Sequence, residues 1–103
     1  MRIRFTGRAV SDLEEAAIYY DGAAADLGEQ FLDQLDRVVD RVQAFPNSGS
    51  PVEGFPQVRR ARTKRFPYGI FYRVDGEDVI VLRVLHARRD IDQNLGRSLT
   101  DPH

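Results

Sequence analysis

The chain has 103 residues, 42% hydrophobic and 30% charged, with a formal net charge of −1 and no cysteine. That composition describes one globular domain around a single core and excludes a disordered chain, a disulfide scaffold and any thiolate metal site. No apolar run approaches the ~20 residues of a membrane-spanning helix, and the opening Met-Arg-Ile-Arg-Phe-Thr lacks the apolar segment of a signal peptide, so the expected compartment is the cytoplasm with no membrane partner.

Residues 2–6 alternate polar and apolar, which predicts a short strand with Ile3 and Phe5 facing the core. Thr6 or Ser11 can cap the helix that follows. Across residues 8–24 the apolar positions Ala9, Leu13, Ala16 and Tyr20 make one helical stripe, and Asp21-Gly22 offers a stop. Residues 24–45 carry the clearest helical period. Leu27, Phe31, Leu35, Val38, Val42 and Phe45 line one face, with Leu32 and Val39 widening it. Asp33 and Arg37 stand as an attractive i,i+4 pair on the other face. An antiparallel helical hairpin is the expected arrangement, ended by Pro46.

Residues 46–57 hold three Pro and two Gly, a composition that predicts a loop without regular structure. The period then becomes two, and residues 58–65, 68–74 and 79–86 read as three strands. Phe66-Pro67 separates the first two, and Asp75-Gly76-Glu77-Asp78 makes a hairpin between the second and third. A short helix is expected after Ala87. The whole is an α+β domain of order β-α-α-β-β-β over residues 1–95, with a disordered tail at 96–103. The helical hairpin packs on one face of a mostly antiparallel four-stranded sheet.

Charge is unevenly placed. Residues 9–50 carry nine acids against Arg37 and Arg41, whereas six cations and no acid lie between Arg59 and Arg73. Fourteen of the fifteen basic residues are Arg, whose planar fork grips phosphate or carboxylate at two points. In 58–65, strand alternation puts Arg60, Arg62 and Lys64 on one side and Arg59, Ala61, Thr63 and Arg65 on the other. The small Ala61 and Thr63 mark the helix-covered side, so the three cations stand about 7 Å apart on an open face. Such a row suits a polyanion or an acidic partner. The acidic helices argue against specific DNA binding by this chain alone.

His86, at the end of the third strand of this set, lies beside Arg88 and Arg89 in sequence. Two readings of it stand together: a general acid or base, or a structural residue at a sheet corner. No His-carboxylate cluster has metal-ligand spacing, and no phosphate-loop or nucleophile-elbow motif occurs, so neither metal nor cofactor is expected. Tyr19, Tyr20, Tyr68 and Tyr72 fall at core spacing and are expected to pack.

Several segments carry a resemblance to a known family. They are Ala9-x-x-Asp12-Leu13, Tyr19-Tyr20, Phe45-Pro46-Asn47-Ser48-Gly49, Val58-Arg59-Arg60, the run from Lys64 to Val74, and Val84-Leu85-His86-x-x-Arg89-Asp90. Over roughly residues 2–93 the chain resembles the RelE/ParE superfamily of type II toxin–antitoxin toxins, and the ParE branch more closely. The resemblance implies a toxin held by a cognate, ParD-like antitoxin. It implies one of two targets, DNA gyrase or, in a RelE-like member, mRNA on the ribosome. For a nuclease, Arg60, Arg62, Lys64, His86 and Arg88 are the residues it would use. For binding a target or antitoxin, the set is Arg59, Arg60, Arg62, Lys64, Arg83, His86, Arg88 and Arg89. The terminal Tyr that RelE-like members use as a base is absent after Arg89, which favours the gyrase-directed reading. A plain binding module that has lost toxicity is the third alternative.

Overall fold

A computed structural model describes residues 1–87. Strand β1 (Arg2–Phe5) leads into helix α1 (Gly7–Ala23) and helix α2 (Leu27–Ala44), followed by β2 (Ser50–Val52), β3 (Phe55–Arg62), β4 (Tyr68–Asp75) and β5 (Asp78–His86). The sheet runs β1-β5-β4-β3-β2, with β1 parallel to β5 and every other pairing antiparallel. The helical hairpin on one face is as expected. The sheet has five strands rather than four because the Pro-rich segment 46–57 contributes β2 and the start of β3. Pro51 fits there because β2 is an edge strand, where a missing N–H costs no ladder bond. Gly54, at φ +85°, makes the turn between β2 and β3.

Thr6 joins strand to helix. Its hydroxyl accepts from the Ala9 amide at 3.1 Å, capping α1, and donates to the Leu82 carbonyl at 2.9 Å. Asp21-Gly22 does not stop α1, which continues to Ala23. Instead the Asp21 carboxylate accepts from the Gly28 amide at 3.1 Å and satisfies an N-terminal donor of α2. Gly28 is required there, since a Cβ would sit 2.6 Å from the Ala17 carbonyl oxygen.

The α1 and α2 stripes pack as their spacing predicts. Ala9, Ala16, Phe31, Leu35, Val38 and Val42 are buried against Ala61, Tyr68, Ile70, Tyr72 and the inner residues of β5. Phe45 and Tyr19 depart from the pattern, at 67% and 59% exposed. Phe45 lies past the last helical turn, and Tyr19 is one residue off the stripe that Tyr20 occupies. Phe5 and Leu32, also expected to pack inward, are exposed as well.

The sheet face away from the helices is not the bare cationic surface that alternation along β3 implies. Val58, Phe71, Leu82 and Leu85 form a second buried apolar cluster there, with Val52, Phe55 and Ile80 packed against it. β4 and β5 are apolar on both faces, as central strands are when both sides are covered. The last part of the expected strand 58–65 also leaves the sheet. Thr63 turns to bond the Phe66 carbonyl through its hydroxyl and the Tyr68 carbonyl through its amide, at 3.2 Å for the latter.

β1 is held to the sheet by charge as well as by its ladder. Arg2 donates to Asp78 at 2.8 Å and Arg4 reaches the same carboxylate at 3.4 Å. Burial pushes the Asp78 carboxyl up, but the hydrogen bonds and charges of Arg2 and Arg4 outweigh it, so its pKa lies below the ordinary carboxylate value. A depressed folded-state pKa gives stability that is present above the unfolded value of about 4 and is lost as pH falls through the folded value. Urea midpoints measured from pH 7 to pH 2 should therefore show a gap between the parent and Asp78→Asn that closes at the acid end. A gap of constant size would mean that the carboxylate charge plays no part.

Candidate functional site

The segment 45–49 between α2 and β2 is pinned from beneath. The Tyr72 hydroxyl donates to the Pro46 carbonyl at 2.8 Å and accepts from the Gly49 amide at 2.9 Å. Arg59, on the helix-side face of β3, donates to the carbonyls of Gly49 at 2.8 Å and Asn47 at 3.2 Å. Its guanidinium thus holds a loop in place, a structural role beside the target contact expected of it.

Arg83 is taken up by the fold too. Its Nε donates to Asp12 Oδ2 at 2.7 Å and its Nη2 to Asp12 Oδ1 at 2.9 Å, while the Val84 amide donates to Oδ2 at 2.9 Å. The cause lies in the sheet. β1 pairs with β5 only as far as Phe5 and Val81, and α1 covers the β5 edge beyond. Asp12 supplies the acceptor that the missing strand would have supplied. Arg83 thus has a structural role in the fold, beside the binding role expected of it.

Arg60 and Arg62 behave differently. They project on the face away from the helices, as expected from Ala61 lying inward. The Arg60 stem lies over Gly69, its diagonal neighbour on β4, where an added Cβ would come within 3.1 Å of the Arg60 Cδ, so this glycine gives the arginine its place. Burial, and then the neighbouring Arg62 charge, push the Arg60 guanidinium down from its ordinary value, although Arg remains cationic. Among the described residues, no carboxylate lies within ion-pair distance of Arg60, Arg62, Lys64 or Arg65.

These four cations border a depression of about 300 Å³ whose floor includes Phe66 and Tyr68. Lys64 and Arg65 belong to the turn 63–67 rather than to β3, so Lys64 does not extend the strand row. The turn is seated by aromatic packing, with Phe66 and Tyr68 each edge-on to Phe31 at 5.4 and 5.0 Å between ring centroids. Arg65 entered the sequence reading as a residue on the covered side. Its place in the site comes from the turn, which strand alternation cannot foresee.

His86 pairs with Tyr68 across the β4–β5 ladder and meets its ring edge-on at 5.3 Å. It is not among the residues lining the depression. Arg88 and Arg89, the expected C-terminal helix and the tail 96–103 lie outside the described residues. Among the described residues no group of His, Asp and Glu could hold a metal ion, and no helix is long and apolar enough to cross a membrane.

A helical hairpin on a mixed five-stranded sheet is the architecture of the small toxins that the sequence resembles. The solved chromosomal ParDE toxin–antitoxin system from P. aeruginosa superposes with a TM-score of 0.65 at 26% identity, over 85% of this chain and 97% of that one. The isolated E. coli RelE toxin shares the fold at a TM-score of 0.60 and 18% identity, over 96% and 95% of the two chains. In sequence, Toxin ParE1 of Mycobacterium tuberculosis is 40% identical over 78 residues, covering 74% of this chain and 78% of the relative. The family described as the ParE toxin of the type II toxin–antitoxin system parDE matches residues 3–91. The chain belongs to this ParE toxin family of type II toxin–antitoxin systems.

Proposed function

We propose that this toxin acts by binding rather than by bond cleavage, that it inhibits DNA gyrase, and that a cognate ParD-like antitoxin neutralises it. The observation that carries the reading is the chemistry of the depression. Cleavage of RNA through its 2′-hydroxyl needs a group to take a proton and one to give it. The described residues lining the depression supply Arg60, Arg62, Lys64 and Arg65 but neither a carboxylate nor an imidazole. Arg stays protonated, so it holds an anionic group and stabilises charge without moving a proton, which leaves only Lys64 and Tyr68 among the described lining residues to carry one. The family supports the antitoxin as partner, since the P. aeruginosa relative is itself a ParDE toxin–antitoxin system.

The test adds purified protein to gyrase supercoiling and cleavage reactions, with and without antitoxin. Inhibition relieved by the antitoxin is expected. No inhibition at large molar excess, together with new codon-linked mRNA ends in primer extension after induction, would establish the ribosome-dependent endoribonuclease instead. Unchanged growth on induction without antitoxin would leave only an inactive binding module.

A further inference from the structure

Among the described residues, Arg2 and Arg4 are held by Asp78, Arg73 lies 3.5 Å from Asp75, and Arg83 is clasped by Asp12. Around the turn 63–67 the cations have no such acidic partner within ion-pair distance among these residues. A second depression, of about 230 Å³, lies between α2 and the turn 63–67 and is bordered by Arg37, Arg41, Lys64 and Arg65. It shares Lys64 and Arg65 with the depression on the sheet face. The two form one track of six cations, from Arg60 and Arg62 around the turn to Arg37 and Arg41 on α2. Among the described residues no carboxylate is within ion-pair distance of any of the six. The expected Asp33–Arg37 pair is not formed. Asp33, Asp36 and Asp40 lie on the adjoining stripe of α2 and bound the track on that side.

We propose that this track binds the phosphate backbone of duplex DNA, without regard to sequence, and that in the gyrase reading it grips the duplex held by the enzyme. Five of the six cations are Arg, whose fork fits a phosphate at two points. An acidic peptide is the competing occupant, since Arg also grips carboxylates, β2 leaves a free sheet edge and Phe66 and Tyr68 give an apolar floor. Phosphate is favoured because the six cations run around the turn, from the sheet face to α2, rather than along one strand edge. A phosphate backbone needs only charge at intervals along the surface. The net charge of −1 does not forbid this. Asp33, Asp36 and Asp40 lie within a Debye length of about 10 Å at 0.1 M salt and weaken the α2 end of the track, whereas acids on the far side of a protein of 39 × 29 × 22 Å are screened.

The experiment measures anisotropy of a labelled mixed-sequence 20-base-pair duplex with the full chain, free of antitoxin and gyrase, between 50 and 200 mM salt. Six phosphate contacts predict an affinity loss on the order of 10³ across that range. Removing two contacts with Arg37→Gln plus Arg41→Gln, on the exposed helix surface, should flatten the log–log salt slope by about 1.8. Arg73→Gln, which removes a charge outside the track, should leave the slope unchanged. No measurable duplex binding at 50 mM salt would overturn the proposal, as would a slope indifferent to the double substitution. Tighter binding of poly-glutamate or of single-stranded RNA than of the duplex would also overturn it. The same proteins assayed on gyrase separate the two readings. Gyrase inhibition without duplex binding leaves the proposed function standing and removes the track, and duplex binding without gyrase inhibition does the reverse.

Discussion

Asp12→Ala is expected to cost about 3–5 kcal/mol, the loss typical of removing one partner from a buried ion pair. Asp12 and Arg83 side chains are only 13% and 12% exposed, and one carboxylate serves three donors. Alanine removes the Asp12 charge from beside the guanidinium and leaves the Val84 amide without its acceptor, on a stretch of β5 where no strand can take its place. At roughly 4–8 °C per kcal/mol for a domain of this size, the midpoint of thermal unfolding should fall by at least about 12 °C. Replacing both partners, as Asp12→Leu with Arg83→Met, should recover much of the loss, because an apolar pair carries no desolvated charge. Circular dichroism melts of the parent, the single and the double variant decide it. A single variant within about 1 kcal/mol of the parent would show that water satisfies these donors.

Phe31→Ala should be equally severe, at about 3–5 kcal/mol for a fully buried aromatic side chain. The consequence reaches the site. Phe31 contacts Tyr20, Phe66 and Tyr68 at centroid separations of 5.3, 5.4 and 5.0 Å, and Phe66 lies in the turn that carries Lys64 and Arg65. A cavity beneath Phe66 should loosen that turn before it loosens the β4–β5 ladder. Amide exchange is the readout. The Thr63 amide, bonded to the Tyr68 carbonyl at 3.2 Å, should exchange faster in Phe31→Leu, a milder variant that stays folded, while the amides of β5 keep their protection. Equal acceleration at both places would mean that the rings support the whole sheet and not the turn in particular.

The order of elements, the helix stripes and the inward position of Ala61 follow from period and side-chain size, which neighbouring residues settle among themselves. So does the family resemblance, which rests on short runs such as Phe66 to Arg73. Less was legible where a residue's role depends on distant chain. β2 was hidden because Pro and Gly read as loop, although an edge position admits them. The second apolar cluster was hidden because β3 alone was sorted by face, while Phe71, Leu82 and Leu85 lie on strands that are apolar on both sides. The arginines make the point most sharply. Arg59, Arg60 and Arg83 are chemically the same residue, and alternation separates only the first two. Folding brings the Gly49 carbonyl to Arg59 from 10 positions away and the Asp12 carboxylate to Arg83 from 71. It brings no acid to Arg60 among the described residues. Electrostatic compensation acts through space over a few ångströms, so which cations stay open to a partner is settled by the packed chain and is not written in the order of its residues.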